Sequence, residues 1–537
     1  MATKKDCFGS LDGLNSNATY HTFCHHSQMR LSGEETATLS GVATCDDAGI
    51  CVPLNKQQQQ QQLEASYSSI FAFCTPKPPQ DWGTSSLSST NAATTTVFIK
   101  YYNILWCERK DGLSRDTDTV LITYINSKEQ ILTLVTEISN IPEGNEPAKW
   151  IMEKSYPNGL MKMSALVLIN PKGGRGKAAS IYQKSILPVL NAAKVNVEYV
   201  ETKYYRHAVD IARELDIEKY DIILCCSGDG IPHEVINGFY QREDKGVSAF
   251  NKLIITQLPC GSGNALTLST HGSINPVVST WRMLKGTKAK LDLMGFTQGS
   301  GSEKRTSLSF LSQCYGAISD SDIGTEHLRF LGAVRFELGV TQYVLSRRVY
   351  PCDVYVDYFV EPHGMKEHFQ NHLSGSNLSI LPTVTRESLS PKFDDLESPP
   401  PTNWVKIDDA LTSKLNIFYI GKMPYVSADT QFFPAALPND GAMDLVITTT
   451  NSSVMSLAKI LTLLDTGTHV DHDEVLHAKV KAYRLVPRIP KSDKTKHYLS
   501  IDGEDFPFEP FQTEVFPSVL TILLQEGEYV ETSFKKN

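Results

Sequence analysis

The residues best able to do chemistry in this 537-residue chain sit in three glycine-rich turns. These are Asn170-Pro171-Lys172-Gly173-Gly174-Arg175-Gly176, Ser227-Gly228-Asp229-Gly230 and Cys260-Gly261-Ser262-Gly263-Asn264. Glycine lets the backbone approach phosphate oxygens and aim successive N–H groups at them, and a helix starting at such a turn adds partial positive charge. The first turn has neither the Walker spacing nor the dinucleotide G-x-G-x-x-G spacing, so on its own it is only a βα turn. The second carries a carboxylate, Asp229, between the apolar run DIILCC and the segment bearing His233, Glu234 and Asn237. A carboxylate there can accept a proton from a hydroxyl nucleophile, coordinate a metal, or cap the next helix. Three such turns on one sheet edge predict a polyphosphate site, with Thr202, at the end of VETKYYRH's strand, on the adenine side.

The elements that must position these turns follow from periodicity. From residue 163 to 293, apolar strand runs (ALVLIN, VNVEYVET, DIILCC, LIITQLPC) alternate with helical segments, which predicts βαβ crossovers and a mainly parallel sheet whose ligands lie at the strands' carboxyl ends. Residues 294–537 are β-rich (LSFLSQCYG, CDVYVDYFV, KLNIFYIG, MDLVITTT), which predicts a largely antiparallel second domain, interrupted by a polar, Pro-rich and disordered insertion over 364–402. Residues 1–95, rich in Ser, Thr, Asn and Gln, are expected to be a disordered arm. Residues 96–156 read as a small β-rich module closed by a helix carrying Trp150, similar to pleckstrin-homology-like modules but without a basic cluster for phosphoinositides. The expected class is thus an α/β nucleotide-binding domain followed by a β-sandwich, preceded by a small β-rich module.

A balance of 51 basic against 60 acidic side chains gives a formal charge of −9, which excludes a general nucleic-acid coat. No apolar stretch reaches the ~18 residues of a membrane span, so any membrane contact is expected to be peripheral. The 11 cysteines show no zinc-type spacing and imply no disulfide framework, consistent with a cytoplasmic setting. Cys45 and Cys51, in the arm, are candidates for thioacylation as well as for unmodified thiols.

NPKGGRGKA, SGDGIPHEVING and LPCGSGNAL, in this order, resemble the diacylglycerol-kinase-type lipid kinases, specifically the sphingosine (sphingoid long-chain base) kinases of fungal type. The resemblance continues through YGAISDSDIGTEHLRFLGAVRFELG, LPNDGAMDL and IDGE, from about Met163 to the C-terminus. It implies ATP-dependent phosphorylation of the primary hydroxyl of a sphingoid base, with Mg²⁺. Asp229 matches the proton-accepting Asp. Asn170, Pro171, Lys172, Gly261, Ser262 and Gly263 match phosphate loops, and Thr202 and Glu234 match further nucleotide contacts. Arg329 and Arg335 match phosphate-facing arginines, and Asp502, Gly503 and Glu504 match an acidic turn near phosphate and magnesium, the two carboxylates reaching the metal through water. Ser227, Gly228, Gly230 and Asp322 match substrate contacts. Asp322 would hold the substrate ammonium, a partner that ceramide and diacylglycerol lack. Asp320, two residues away, competes for that assignment. Tyr315 stands where many members have Trp, and Cys260 where many have Ala; neither change removes a charge or a hydroxyl that transfer needs. A ceramide or diacylglycerol kinase and a non-catalytic lipid-binding scaffold are the alternatives.

Overall fold

The computed structural model describes residues 39–54, 95–110, 118–158, 160–325, 339, 346–375, 381–393, 395–489 and 496–536. Six strands form the N-terminal sheet: β1 (Leu39–Cys45), β2 (Gly49–Leu54), β3 (Thr95–Lys100), β4 (Ile104–Arg109), β5 (Thr119–Ile125) and β6 (Ile131–Ser139), in the order β3-β2-β1-β6-β5-β4. Two of these strands fall inside the expected disordered arm, a correction to the sequence reading. Their alternation is short, but every second residue (Ala43, Cys45, Ile50, Val52) is buried, which gives the sheet an apolar face. Cys45 is therefore a core side chain, its thiol pushed up by burial, and is no exposed acceptor for acylation.

The helix Pro147–Ser155 closes this sheet, its N-terminus capped by Glu146, whose carboxylate accepts from the N–H groups of Ala148 and Lys149. Trp150 meets Tyr101 edge to face at 5.8 Å. The module does not stand apart, because its buried side chains share one core with Ala165, Val167, Leu224 and Trp281 of the next domain. Polar bonds reinforce the seam: Trp281 Nε1 donates to Tyr102 O at 3.0 Å, and Lys285 Nζ donates to Ile104 O at 2.6 Å and Ser155 O at 2.9 Å.

The nucleotide-type domain contributes β7 (Ser164–Ile169), β8 (Asn196–Glu201), β9 (Ile222–Ser227) and β10 (Ile254–Pro259), parallel in the order β8-β7-β9-β10. All of β9 and β10 is buried, as a strand covered on both faces requires, whereas edge strand β8 stays half open. Their carboxyl ends lead into the three glycine turns.

The expected boundary at residues 293/294 is not a break. Strand β11 (Thr287–Gln298) runs straight across it, paired with β12 (Arg305–Ser309) and with the C-terminal strand. After β13 (Ser312–Gly316), β14 (Cys352–Val360), β15 (Val405–Lys406), β16 (Leu415–Gly421), β17 (Met443–Thr449), β18 (Leu476–Pro487), β19 (Leu499–Ile501) and β20 (Glu504–Phe506), that strand, β21 (Phe511–Leu524), pairs antiparallel with β11 and β18 and parallel with β10. One 15-stranded sheet thus joins both halves. Backbone pairing across the boundary holds the glycine turns against loops of the antiparallel half.

The segment 364–402 is also corrected where it is described. It includes the helix Met365–Gly375, and its later part is tied down by Arg484, which donates to Asp395 O at 2.7 Å and Ser398 O at 2.5 Å, and by Glu514, which accepts from the N–H groups of Lys392 and Phe393. These anchors lie about a hundred residues away in sequence, so local composition could not reveal them.

Candidate active site

The three glycine turns converge because their glycines allow backbone to touch backbone. A Cβ on Gly261 would stand 2.2 Å from Gly228 Cα, and one on Gly228 would lie 3.0 Å from Gly263 O. Only side-chain-free residues permit that approach. A Cβ on Gly173 would lie 3.6 Å from Cys260 O, which brings the first turn alongside the third. The first turn folds on itself: Asn170 Oδ1 accepts from Lys172 N at 3.1 Å, and Gly173 N donates to Asn170 O at 2.9 Å. Asn264 links both ends of the third turn, accepting from Gly261 N and donating to Gly261 O. Thr202 is buried beside them at the end of β8, its N–H donating to Ile169 O.

Asp229 sits at the centre of this arrangement. Its side chain does not cap the helix it begins, Gly230–Tyr240. It reaches across to the helix Ala265–His271, accepting from Ala265 N at 3.1 Å and Leu266 N at 3.2 Å, and from Gln257 Nε2 at 3.1 Å. A carboxylate offers about four lone-pair sites, so these three bonds orient Asp229 and leave about one site for a ligand proton. Burial raises its pKa, and the bonds from Ala265, Leu266 and Gln257 counter that only partly. Gln257 was not singled out from the sequence. The available signal was a polar side chain inside the wholly buried strand β10.

Asp502 departs from the expected role. Its Oδ1 accepts from Ser309 Oγ at 2.7 Å and from the N–H groups of Leu311 and Ser312 at 3.0 Å each; its Oδ2 accepts from Phe310 N at 3.1 Å and pairs with His233 Nδ1 at 2.8 Å. Five partners fill its capacity, so Asp502 does not fit as a metal ligand. It is the clasp of the β12–β13 turn, held at a positive φ of 53°. Asn237 completes the joint by exchanging bonds with Leu308, at 2.9 Å and 2.8 Å. Glu504, the other half of the acidic turn, does face the site: its Oε1 lies 3.2 Å from where a Cβ on Gly230 would stand, and its Oε2 accepts from Tyr205 Oη at 3.2 Å. Glu234, expected at the nucleotide, accepts from Ala208 N at 3.0 Å and so caps the helix His207–Glu214. Burial raises its pKa.

The helix Ala317–Gly324 separates the two aspartates of SDSD. Asp320 is buried and engaged by Arg348 and by Tyr350 Oη, each at 2.8 Å, a framework role. Asp322 is half-buried and points to the acidic turn, with Ser500 Oγ donating to it at 2.7 Å and a Cβ on Gly503 lying 3.9 Å away. Asp322 thus lies beside the turn whose Glu504 faces Gly230, the residue after Asp229. Arg329 and Arg335 lie outside the described residues. Among the described residues, no cluster of three or more His, Cys, Asp or Glu side chains could hold a metal by itself.

A second charged cluster was missed by sequence reasoning. Lys422 Nζ bonds Asp292 and Asp440 at 2.9 Å each, and Lys479 Nζ bonds Asp440 at 2.8 Å and Asp444 at 2.7 Å. His368 and His477 complete it, each 3.1 Å from Asp440 and Asp444 respectively. The LPNDGAMDL stretch supplies two of the three carboxylates, in a buried structural knot rather than at the glycine turns.

Two family descriptions match the chain: "Diacylglycerol kinase catalytic domain" over residues 164–296 and "YegS C-terminal NAD kinase beta sandwich-like domain" over 400–524. "Sphingoid long chain base kinase 4" of Schizosaccharomyces pombe is 31% identical over 428 residues, 79% of this chain and 87% of that protein. The chain belongs to the sphingoid long-chain base kinase family. Within this kinase family, "Sphingoid long chain base kinase 5" of Saccharomyces cerevisiae is 40% identical over 447 residues, 74% of this chain. The alignment spans 64% of that yeast kinase's own length. "Sphingosine kinase 1" of Arabidopsis thaliana is 30% identical over 352 residues, 63% of this chain and 67% of the plant kinase. In the fold the two matched regions meet where β11 pairs with β21, so one joined sheet frames the site.

Proposed function

We propose that the chain transfers the γ-phosphoryl group of ATP to the primary hydroxyl of a sphingoid long-chain base, giving the 1-phosphate. The observation that carries this reading is the placement of Asp229, oriented by three donors at the meeting point of the three glycine turns. ATP fits the cradle, because the Gly173, Gly228, Gly261 and Gly263 backbones lie where side chains would fill the space. Its contribution when bound is the transferred phosphoryl group. Asp229, with its raised pKa, accepts the hydroxyl proton as that oxygen becomes the nucleophile. Amides of the turns stabilise charge on the phosphate oxygens, since a dry, preorganised donor set needs no rearrangement at the moment of transfer.

For Mg²⁺, the donor set fits in part. Glu504 would hold the ion's hydration shell, a hard cation's usual mode beside phosphate, while Asp502 fixes the turn that presents Glu504. Asp322 favours an amine-bearing acceptor: a carboxylate near the substrate ammonium stabilises its charge and fixes the neighbouring hydroxyl. The lipid arrives from a bilayer. Among the described residues no helix is long and apolar enough to cross one, so the proposed contact is peripheral and reversible.

The test is label transfer from radiolabelled ATP to phytosphingosine, dihydrosphingosine, ceramide and diacylglycerol by the purified chain. Label on the free bases alone supports the reading. Label on ceramide or diacylglycerol assigns another lipid kinase, and lipid binding without any transfer assigns a scaffold.

A further inference from the structure

Away from the glycine turns, two adjoining cavities share the walls Lys290, Leu381 and Pro382. The first, about 260 Å³, is walled mainly by apolar side chains, including Phe369, Leu373, Ala436, Leu437 and Val530, with His372, Glu528 and Lys535 among its polar walls. The second, about 310 Å³, has Lys252, Lys288 and Lys290 around it and no acidic side chain among its walls. The kinase reaction as described uses neither.

Lys290 joins the two compartments. It is only 3% exposed, and its ammonium donates to two main-chain carbonyls, Phe250 O at 3.2 Å and Val519 O at 3.1 Å, with no carboxylate in its ion pairing. That contrasts with the equally buried Lys422 and Lys479, each held by two carboxylates. A buried cation with carbonyls alone is incompletely compensated, and burial lowers the Lys290 pKa to about 8. Lys288, two residues along β11 and hence on the same face, is exposed at the rim. Lys252 is also at the rim, in an ion pair with Glu218.

We propose that the paired cavities bind a single-chain lipid monophosphate, the alkyl chain lying in the compartment of Phe369, Leu373 and Leu437 and the phosphate meeting Lys290 and Lys288. Charge complementarity selects the occupant: Lys290 and Lys288, which no carboxylate among the described residues holds in an ion pair, suit a dianionic head, and the adjoining apolar chamber suits one chain. The kinase's product, if the function proposed above is right, belongs to this class, so the site would sense product at a place separate from catalysis.

Titration calorimetry of the full chain with decyl phosphate, decanol and inorganic phosphate tests this without requiring turnover. Decyl phosphate is expected to bind about tenfold or more tighter than either fragment, since both compartments must be engaged. Lys288→Glu, an exposed and fold-neutral change, is expected to weaken it about tenfold by placing like charge at the head. Lys290→Met and Leu373→Trp should weaken it from the head and chain sides, and Asp322→Asn should leave it unchanged. Wild-type affinity in Lys288→Glu and Leu373→Trp would overturn the proposal, as would inorganic phosphate binding as tightly as decyl phosphate. Failure of this binding would leave the label-transfer result untouched, and the reverse also holds.

Discussion

The molecule holds two groups of aspartates built to opposite specifications. Around Lys422 and Lys479, Asp292, Asp440 and Asp444 are buried beside ammonium groups and main-chain donors. At the glycine turns, Asp229 is oriented by two amides and Gln257, with no cation among the donors that hold it. Cations lock a carboxylate in its charged form, whereas amides fix its direction while burial keeps its proton affinity high. The pKa directions follow at Asp440, which two lysines hold, but not at Asp292, where burial prevails over the single Lys422 and raises the group. Burial acts to raise Asp440, but Lys422 and Lys479 outweigh it and hold the group well below the usual carboxylate range. At Asp229 burial prevails. Reactive capacity thus depends less on residue type than on which partners leave a lone pair and a proton affinity in reserve.

That contrast can be broken from either side. Lys422→Met should have the largest effect on stability, about 3–5 kcal/mol, because it leaves Asp292 as a buried charge without a cation, while Asp440 keeps Lys479; denaturant unfolding would check it, with activity per folded molecule largely kept. Gly261→Ala acts on the other group. Its methyl cannot sit 2.2 Å from Gly228 Cα, so the turns must part, and a displacement of about 1 Å at a reaction centre costs about 100-fold in kcat/KM. Asp322→Asn should lower kcat/KM for free bases by about tenfold with the thermal midpoint unchanged, an effect of about 1.4 kcal/mol on one ammonium contact.

The smallest expected signal is in the pH dependence of stability. The depressed pKa of Asp440 contributes stability that is present above about pH 4, the unfolded value, and is lost as pH falls through the folded one. At Lys422 burial acts to lower the pKa, but Asp292 and Asp440 outweigh it and raise it, so that contribution is complete below about pH 10 and lost as pH rises through the folded value. Asp229, raised, has the opposite sign to Asp440: its charged form costs stability at neutral pH, and the cost is relieved as pH falls through its folded pKa. Unfolding free energy measured against pH in wild type and Asp440→Asn separates these slopes.

The glycine turns and Asp229 were legible in the sequence because local chemistry determines them: an apolar run, a glycine break and a carboxylate at a strand end. The roles of Asp502 and Glu234 were not. Asp502's donors come from residues 309–312, nearly two hundred positions away, and Glu234 caps a helix that precedes it in the chain. The Lys422 and Lys479 knot was hidden for the same reason, since ion pairing between strands leaves no period. Strands β1 and β2 were missed because composition averaged over the Ser- and Gln-rich arm masked two short alternating runs. Asp320 and Asp322, indistinguishable in SDSD, part company only through Arg348 and Tyr350.

The most direct test of the account is single-turnover transfer from ATP to dihydrosphingosine by Asp229→Asn beside wild type, with ATP affinity and thermal midpoint measured on the same samples. Asparagine keeps the shape and, with its one oxygen in the Oδ1 place, can still accept from Leu266 and Gln257, while its amide nitrogen beside Ala265 N can neither accept that bond nor take the hydroxyl proton. The account predicts a loss of about 100- to 10,000-fold in the transfer step with ATP binding and folding retained. Transfer at the wild-type rate would contradict it and remove Asp229 from the chemistry.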